Sequence, residues 1–191
     1  MRREPRACRL VLTLAVFLLG GYDTLEVAMA DPKETRSSVE VEHIKIESTK
    51  SFAEAKAALE RLLPELDPGI FVLLRYGESD RARRELEKGP ELTRFLSRDH
   101  GGLLQIAGQQ RKAVQYDIGN PLTASRMTCH QLSAALYAPF RVVLYEDDLG
   151  RAAFEYDRPS SLFGQFNDEH VTSVARELDT AIERVLLQAS Q

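Results

Sequence analysis

"YDIGNPLTASRM", residues 116–127, joins two kinds of periodicity through Gly119-Asn120-Pro121. Upstream, "RKAVQYDI" alternates, with Val114, Tyr116 and Ile118 opposite Ala113, Gln115 and Asp117, the two-residue period of a strand. Downstream, Leu122, Ser125, Cys129 and Leu132 recur at helical spacing and predict one helix face. Gly119 permits a tight turn, and Asn120 is a good N-cap. Pro121 suits a first helical position, where its missing N–H is not needed. Such a corner has two readings. Its free amides can hold a phosphate or carboxylate, with Arg126 and Arg141 adding charge. The same residues also explain a purely structural helix start.

Working outward, "FRVVLYED" and "AAFEYD" flank "DLGR" and predict an antiparallel hairpin turning at Gly150. "RPSSLFGQFND" reads as a loop. Residues 169–188 then form a helix with Val171, Val174, Leu178, Ile182 and Val185 on one face. Upstream of the corner, Asp99 reads as the N-cap of "HGGLLQIA", with Gly108 as its stop. "ELTRFLS" fits a strand or a short helix, and the strand is preferred. Residues 78–89 form a charged helix ending at Gly89, with Arg83 and Glu87 four apart.

"IFVLLRY" is nearly all apolar and reads as a buried strand. "SFAEAKAALERLL" is a helix opened by the capping box Ser51/Glu54 and ended at Pro64 and Asp67-Pro68-Gly69. "VEVEHIKIES" alternates as a strand with one wet face, its phase slipping at Glu42-His43 as a bulge would. Residues 39–191 therefore predict one α+β domain, a curved antiparallel sheet with helices mainly on one face. Residues 31–38 read as a flexible polar linker.

The chain has 191 residues. Residues 1–30 have the pattern of a secretory signal peptide: Arg2, Arg3, Arg6 and Arg9, the apolar run "LVLTLAVFLLGG", then Ala28-Met29-Ala30. About twelve apolar residues fall short of the roughly twenty of a membrane span. The expectation is an exported, periplasmic protein cleaved after Ala30, the alternative being an N-terminal membrane anchor. Cleavage removes four of 25 basic and three of 29 acidic residues, leaving a net charge of −5. That charge argues against nucleic acid as a partner, and no stable membrane span remains after cleavage. With Cys8 in the leader, Cys129 is alone. It is either a buried hydrophobe or a free thiol that pairs between chains.

Asp99-His100-Gly101, Ile118-Gly119-Asn120-Pro121, Met127, Leu136-Tyr137-Ala138-Pro139, Arg141, Tyr156-Asp157 and Pro159-Ser160-Ser161 together resemble the domain-of-unknown-function 302 family, from about Ser51 to Leu187. The resemblance implies a small α+β domain similar to the TATA-binding-protein-like fold, often dimeric, with no established activity. Some relatives carry added haem-binding segments. This chain has no Cys-x-x-Cys-His, so haem attachment is not supported.

His100 follows the Asp99 cap, as a general base or ligand in one reading and as a packed helix-start histidine in the other. His43, His130 and His170 show no ligand spacing, and Cys129-His130 point about 100° apart on a helix, so no metal and no cofactor is expected. Glu146-Asp147-Asp148 read as solvated turn residues, since Ca²⁺ needs more oxygen ligands. Neither a phosphate-loop signature nor Gly-x-Ser-x-Gly is present. The expected function is binding of a small anionic ligand or a protein partner at the Gly-Asn-Pro helix start. The ligand-binding candidates are His100, Gly119, Asn120, Arg126 and Arg141. The alternatives are an enzyme of unknown reaction using His100 as base, with a cleft joining it to Asp157 or Tyr156, and a structural homodimer.

Overall fold

The computed structural model describes residues 32–191. The leader expected over residues 1–30 lies outside them. Five antiparallel strands build one open sheet in the order β1-β5-β4-β3-β2. These are β1 (His43–Glu47), β2 (Thr93–Asp99), β3 (Ala113–Gly119), β4 (Phe140–Glu146) and β5 (Ala152–Asp157). The helices are α1 (Phe52–Leu62), α2 (Gly69–Arg75), α3 (Ser79–Lys88), α4 (His100–Leu103), α5 (Pro121–Thr128), α6 (Pro159–Phe163) and α7 (Glu169–Ser190). Residues 32–37 are exposed and without regular structure.

Alternation decides which face of the sheet is covered. Val114, Tyr116, Ile118, Val142, Leu144, Phe154 and Tyr156 are buried and form the core with α1 and α7. The intervening residues Lys45, Glu155, Val143, Gln115 and Arg98 make one row across the opposite face. α7 is tied to the core by Val171, Val174, Leu178, Ile182 and Leu186, all buried, with Val185 packed at the edge. α1 opens with both halves of the expected capping box: the Glu54 N–H donates to Ser51 Oγ and the Ser51 N–H to Glu54 Oε2. The hairpin of β4 and β5 turns at Gly150, whose φ of 76° is left-handed.

Several expectations are corrected. "IFVLLRY" is helical, as α2. Asp67 Oδ1 accepts the Gly69 N–H and turns the chain into the helix, and only Ile70 is buried. A seven-residue apolar run has no period that separates a buried strand from a helix, and here one turn-face packs while Phe71, Val72 and Leu74 stay half-exposed. The stretch read as a loop after Asp157 holds α6, with Pro159 at its first turn and the Ser160 N–H donating to Asp179 of α7. β1 is five residues long, and Val39 and Val41 precede it in exposed chain, so the phase slip marks the strand's start and no bulge. α5 buries Met127, while Cys129 and Leu132 are exposed, because the helix ends at Thr128. In α3 the ion pairs are Arg81–Glu78 and Lys88–Glu85, and Arg83 is not paired with Glu87.

The bulge in this sheet is in β2. Register shifts between Arg94 and Leu96, making Phe95 the extra residue. A Cβ built on Gly119 would lie 3.6 Å from the Phe95 ring and 3.6 Å from Pro139, so the bulge turns Phe95 onto the corner between β3 and α5.

Candidate functional site

The corner is held by its own polar groups. Asn120 Oδ1 accepts the Leu122 N–H at 2.8 Å, and its Nδ2 donates to the Pro90 carbonyl at 3.2 Å. Thr93 Oγ1 donates to the Gly119 carbonyl at 2.9 Å, and the Ala124 N–H to the Asn120 carbonyl. Gly119 ends β3 paired with Thr93 and is not a left-handed turn residue. A Cβ there would meet Phe95 and Pro139 at ordinary van der Waals distance, so neither handedness nor crowding accounts for the glycine.

Beside this corner lies a cavity of about 260 Å³. Phe71, Phe95, Ile118, Met127, Phe140, Phe163 and Leu178 give it carbon walls, with Gly119-Asn120-Pro121 and the Tyr137-Ala138-Pro139 segment on its rim. Two aromatic contacts brace it: Phe71 against Phe95 at 6.5 Å and Tyr137 edge-on to Phe163 at 6.1 Å. The Ala138-Pro139 bond is cis. The cavity suits a small molecule with an apolar body.

The candidate residues divide. Gly119 and Asn120 line the cavity. Arg126 turns away to a two-bond ion pair with Glu177 of α7, at 2.8 and 2.9 Å. The hydrogen bonds of that pair hold Glu177 below the ordinary carboxylate range. Arg141 pairs in register with Asp117 and points to the face of the sheet opposite the core. His100 is exposed and opens α4 at the other end of β2 from Thr93, about 20 Å along the strand. The structure therefore does not bring His100, Arg126 or Arg141 to the corner amides. Neither Asp157 nor Tyr156 lines the hollow that includes Asp99 and Gly101, the neighbours of His100.

Near the His100 end is a wider polar hollow of about 1110 Å³. Its charges neutralise one another: Lys56–Glu60, Lys112–Glu146 and Arg111–Asp148 are ion pairs, and Asp147 pairs with Arg151. Behind it, the buried Tyr116 hydroxyl donates to Glu60 at 3.2 Å, and burial pushes that hydroxyl's pKa far up. Burial also pushes Glu60 up, but its hydrogen bonds from Lys56 and Tyr116, with Arg94 nearby, outweigh this and hold it below the ordinary range. These ion pairs are satisfied from within.

His43 was absent from the candidate site. Its Nδ1 faces Asp157 at 2.8 Å and its Nε2 faces Glu155 at 3.1 Å. Hydrogen bonds to Asp157 first, then Glu155, raise its pKa. A raised His pKa contributes stability that is full below about 6.5 and is lost as pH rises through the folded value. Glu155, held low by Tyr145 and then His43, contributes above its unfolded pKa and loses that contribution as pH falls through its folded one. The clamp of β1 onto β5 is thus strongest between about pH 4.5 and 6.5, and its exposure limits it to about 1 kcal/mol. Amide exchange in β1, corrected for intrinsic rates, is expected to quicken above that window and to lose this dependence in His43→Gln. Equal pH dependence in the two proteins would contradict the assignment.

The family model "Domain of unknown function DUF302" matches residues 74–189, more than half of the chain. An uncharacterised conserved DUF302 protein from Bacillus stearothermophilus, known from a crystal structure, is similar in fold. The TM-score is 0.57 at 17% identity, over 77% of this chain and 97% of that one. No curated protein matches the chain.

Proposed function

The chain belongs to the DUF302 family, and we propose that it is a binding protein for a small molecule with an apolar body, held in the cavity at the Gly-Asn-Pro corner. The observation that supports this most is the cavity's lining, about 260 Å³ walled largely by carbon and reaching the first turn of α5. The anionic ligand expected at the helix start has less support. Asn120 already occupies the Leu122 amide, and neither Arg126 nor Arg141 faces the cavity. Calorimetry with benzyl alcohol and benzoate separates the two chemistries. Saturable binding of benzyl alcohol at least as tight as benzoate is expected, with both lost in Ala124→Phe, which fills the lining. Binding of benzoate alone would return the case to an anion site. Binding of neither would end it.

The leader read over residues 1–30 would place this domain outside the cytoplasm. N-terminal sequencing of the exported protein tests that reading, Asp31 being the expected first residue.

A further inference from the structure

The rings around the corner cavity come from five separate parts of the chain. Phe71 belongs to α2, Phe95 to the β2 bulge, Tyr137 to the segment before β4, Phe140 to β4 and Phe163 to α6. Phe140 and Phe163 are buried. Phe71 is 48% exposed although an apolar hollow lies beside it. An apolar side chain left at water next to unfilled apolar space forgoes both burial and contact, and a guest in the hollow restores them. The rings meet obliquely: the planes of Phe71 and Phe95 stand at 56°, those of Tyr137 and Phe163 at 80°. Tilted pairs set the electropositive edge of one ring toward the electronegative face of another. No Asp, Glu, Lys, Arg or His lines the cavity among the described residues.

We propose, resting on the binding reading above, that the guest of this cavity is a small uncharged aromatic molecule. An apolar cavity of about 150 Å³ already admits benzene. The hollow here, about 260 Å³, therefore admits one ring with a short substituent. Such a ring meets Phe71, Phe95 and Tyr137 through edges and faces. A saturated ring of the same skeleton lacks that charge pattern and gains only area. The guest is uncharged because no ionised side chain in the lining offsets a charge taken out of water.

Area alone ranks the two chemistries the other way. Cyclohexylmethanol has the skeleton of benzyl alcohol and more apolar surface, so simple burial favours it. Calorimetry of the full chain with both alcohols separates ring from area. Benzyl alcohol is expected to bind more tightly by about twofold to tenfold, the range of an aromatic pair. Phe71→Leu keeps the position apolar and removes one ring where the chain is half-exposed. It should leave the circular dichroism and the affinity for cyclohexylmethanol unchanged and shrink the preference for benzyl alcohol. Benzylamine, a cation at neutral pH, should bind at least about tenfold more weakly than benzyl alcohol. Cyclohexylmethanol binding as tightly as benzyl alcohol, or a preference that Phe71→Leu does not reduce, would overturn the aromatic class and leave the cavity reading standing. Benzylamine binding more tightly than benzyl alcohol would make the rings a cation cage and overturn it as well. Binding of none of the three would remove the cavity reading itself.

Discussion

Gly101→Ala is expected to destabilise the domain by about 2–3 kcal/mol, the usual cost of forcing a methyl into a filled space. Gly101 sits in α4 against the chain entering β3, and its backbone angles are ordinary, so handedness is not the reason. A Cβ there would lie 2.4 Å from the Arg111 carbonyl oxygen and 3.0 Å from the Ala113 amide nitrogen. Both are backbone atoms and cannot rotate aside. Either α4 lifts from β3 or the ladder between β2 and β3 gives way at its end. In thermal melts the midpoint should fall by roughly 5–10 °C. Gly164→Ala is the control, since nothing lies within 4 Å of its Cβ position and its φ is −60°. It should be near neutral or slightly stabilising. Equal effects from the two variants would contradict the close approach.

Asn120→Ala is the second large effect, about 2 kcal/mol. Asn120 is 8% exposed and works at both ends of its side chain, capping Leu122 and donating to Pro90. Alanine leaves a helix amide and a carbonyl oxygen without partners in a half-buried corner. Asn120→Ser restores an acceptor for the cap but not the donor to Pro90, so it should recover about 1 kcal/mol. Denaturant midpoints of the three proteins provide the measurement. Recovery to the full wild-type value by serine would show that the bond to Pro90 contributes nothing.

What could be read ahead of the structure follows from which signals are local. The caps and turns around Ser51, Asp99, Asn120 and Gly150 depend on neighbouring residues, and each stands as its spacing predicts. The helix face Val171-Val174-Leu178-Ile182 has a clear 3.6-residue period and lies buried. "IFVLLRY" has no period and no local arbiter. Its helix is set by the Asp67-Pro68 turn and by the buried seat of Ile70. The site is harder because its pieces are distant in sequence. Phe71, Phe95, Met127 and Phe163 meet at the corner only through α2, the β2 bulge and α6, and two of those three elements were read differently. His100 and Asn120 are both near β-strand ends, but antiparallel pairing of β2 with β3 sends them to opposite ends of the sheet.

The corner cavity as a ligand site is tested most directly by the methyl resonance of Met127. The chain has three methionines, and Met127 alone lies beyond residues 1–30. It is 1% exposed and lines the cavity. With ¹³C-methyl methionine labelling, titration with benzyl alcohol should move this resonance along a saturating curve, and Ala124→Phe should abolish the movement. A Met127 signal that stays fixed while the ligand binds, or while no ligand binds at all, would contradict the account.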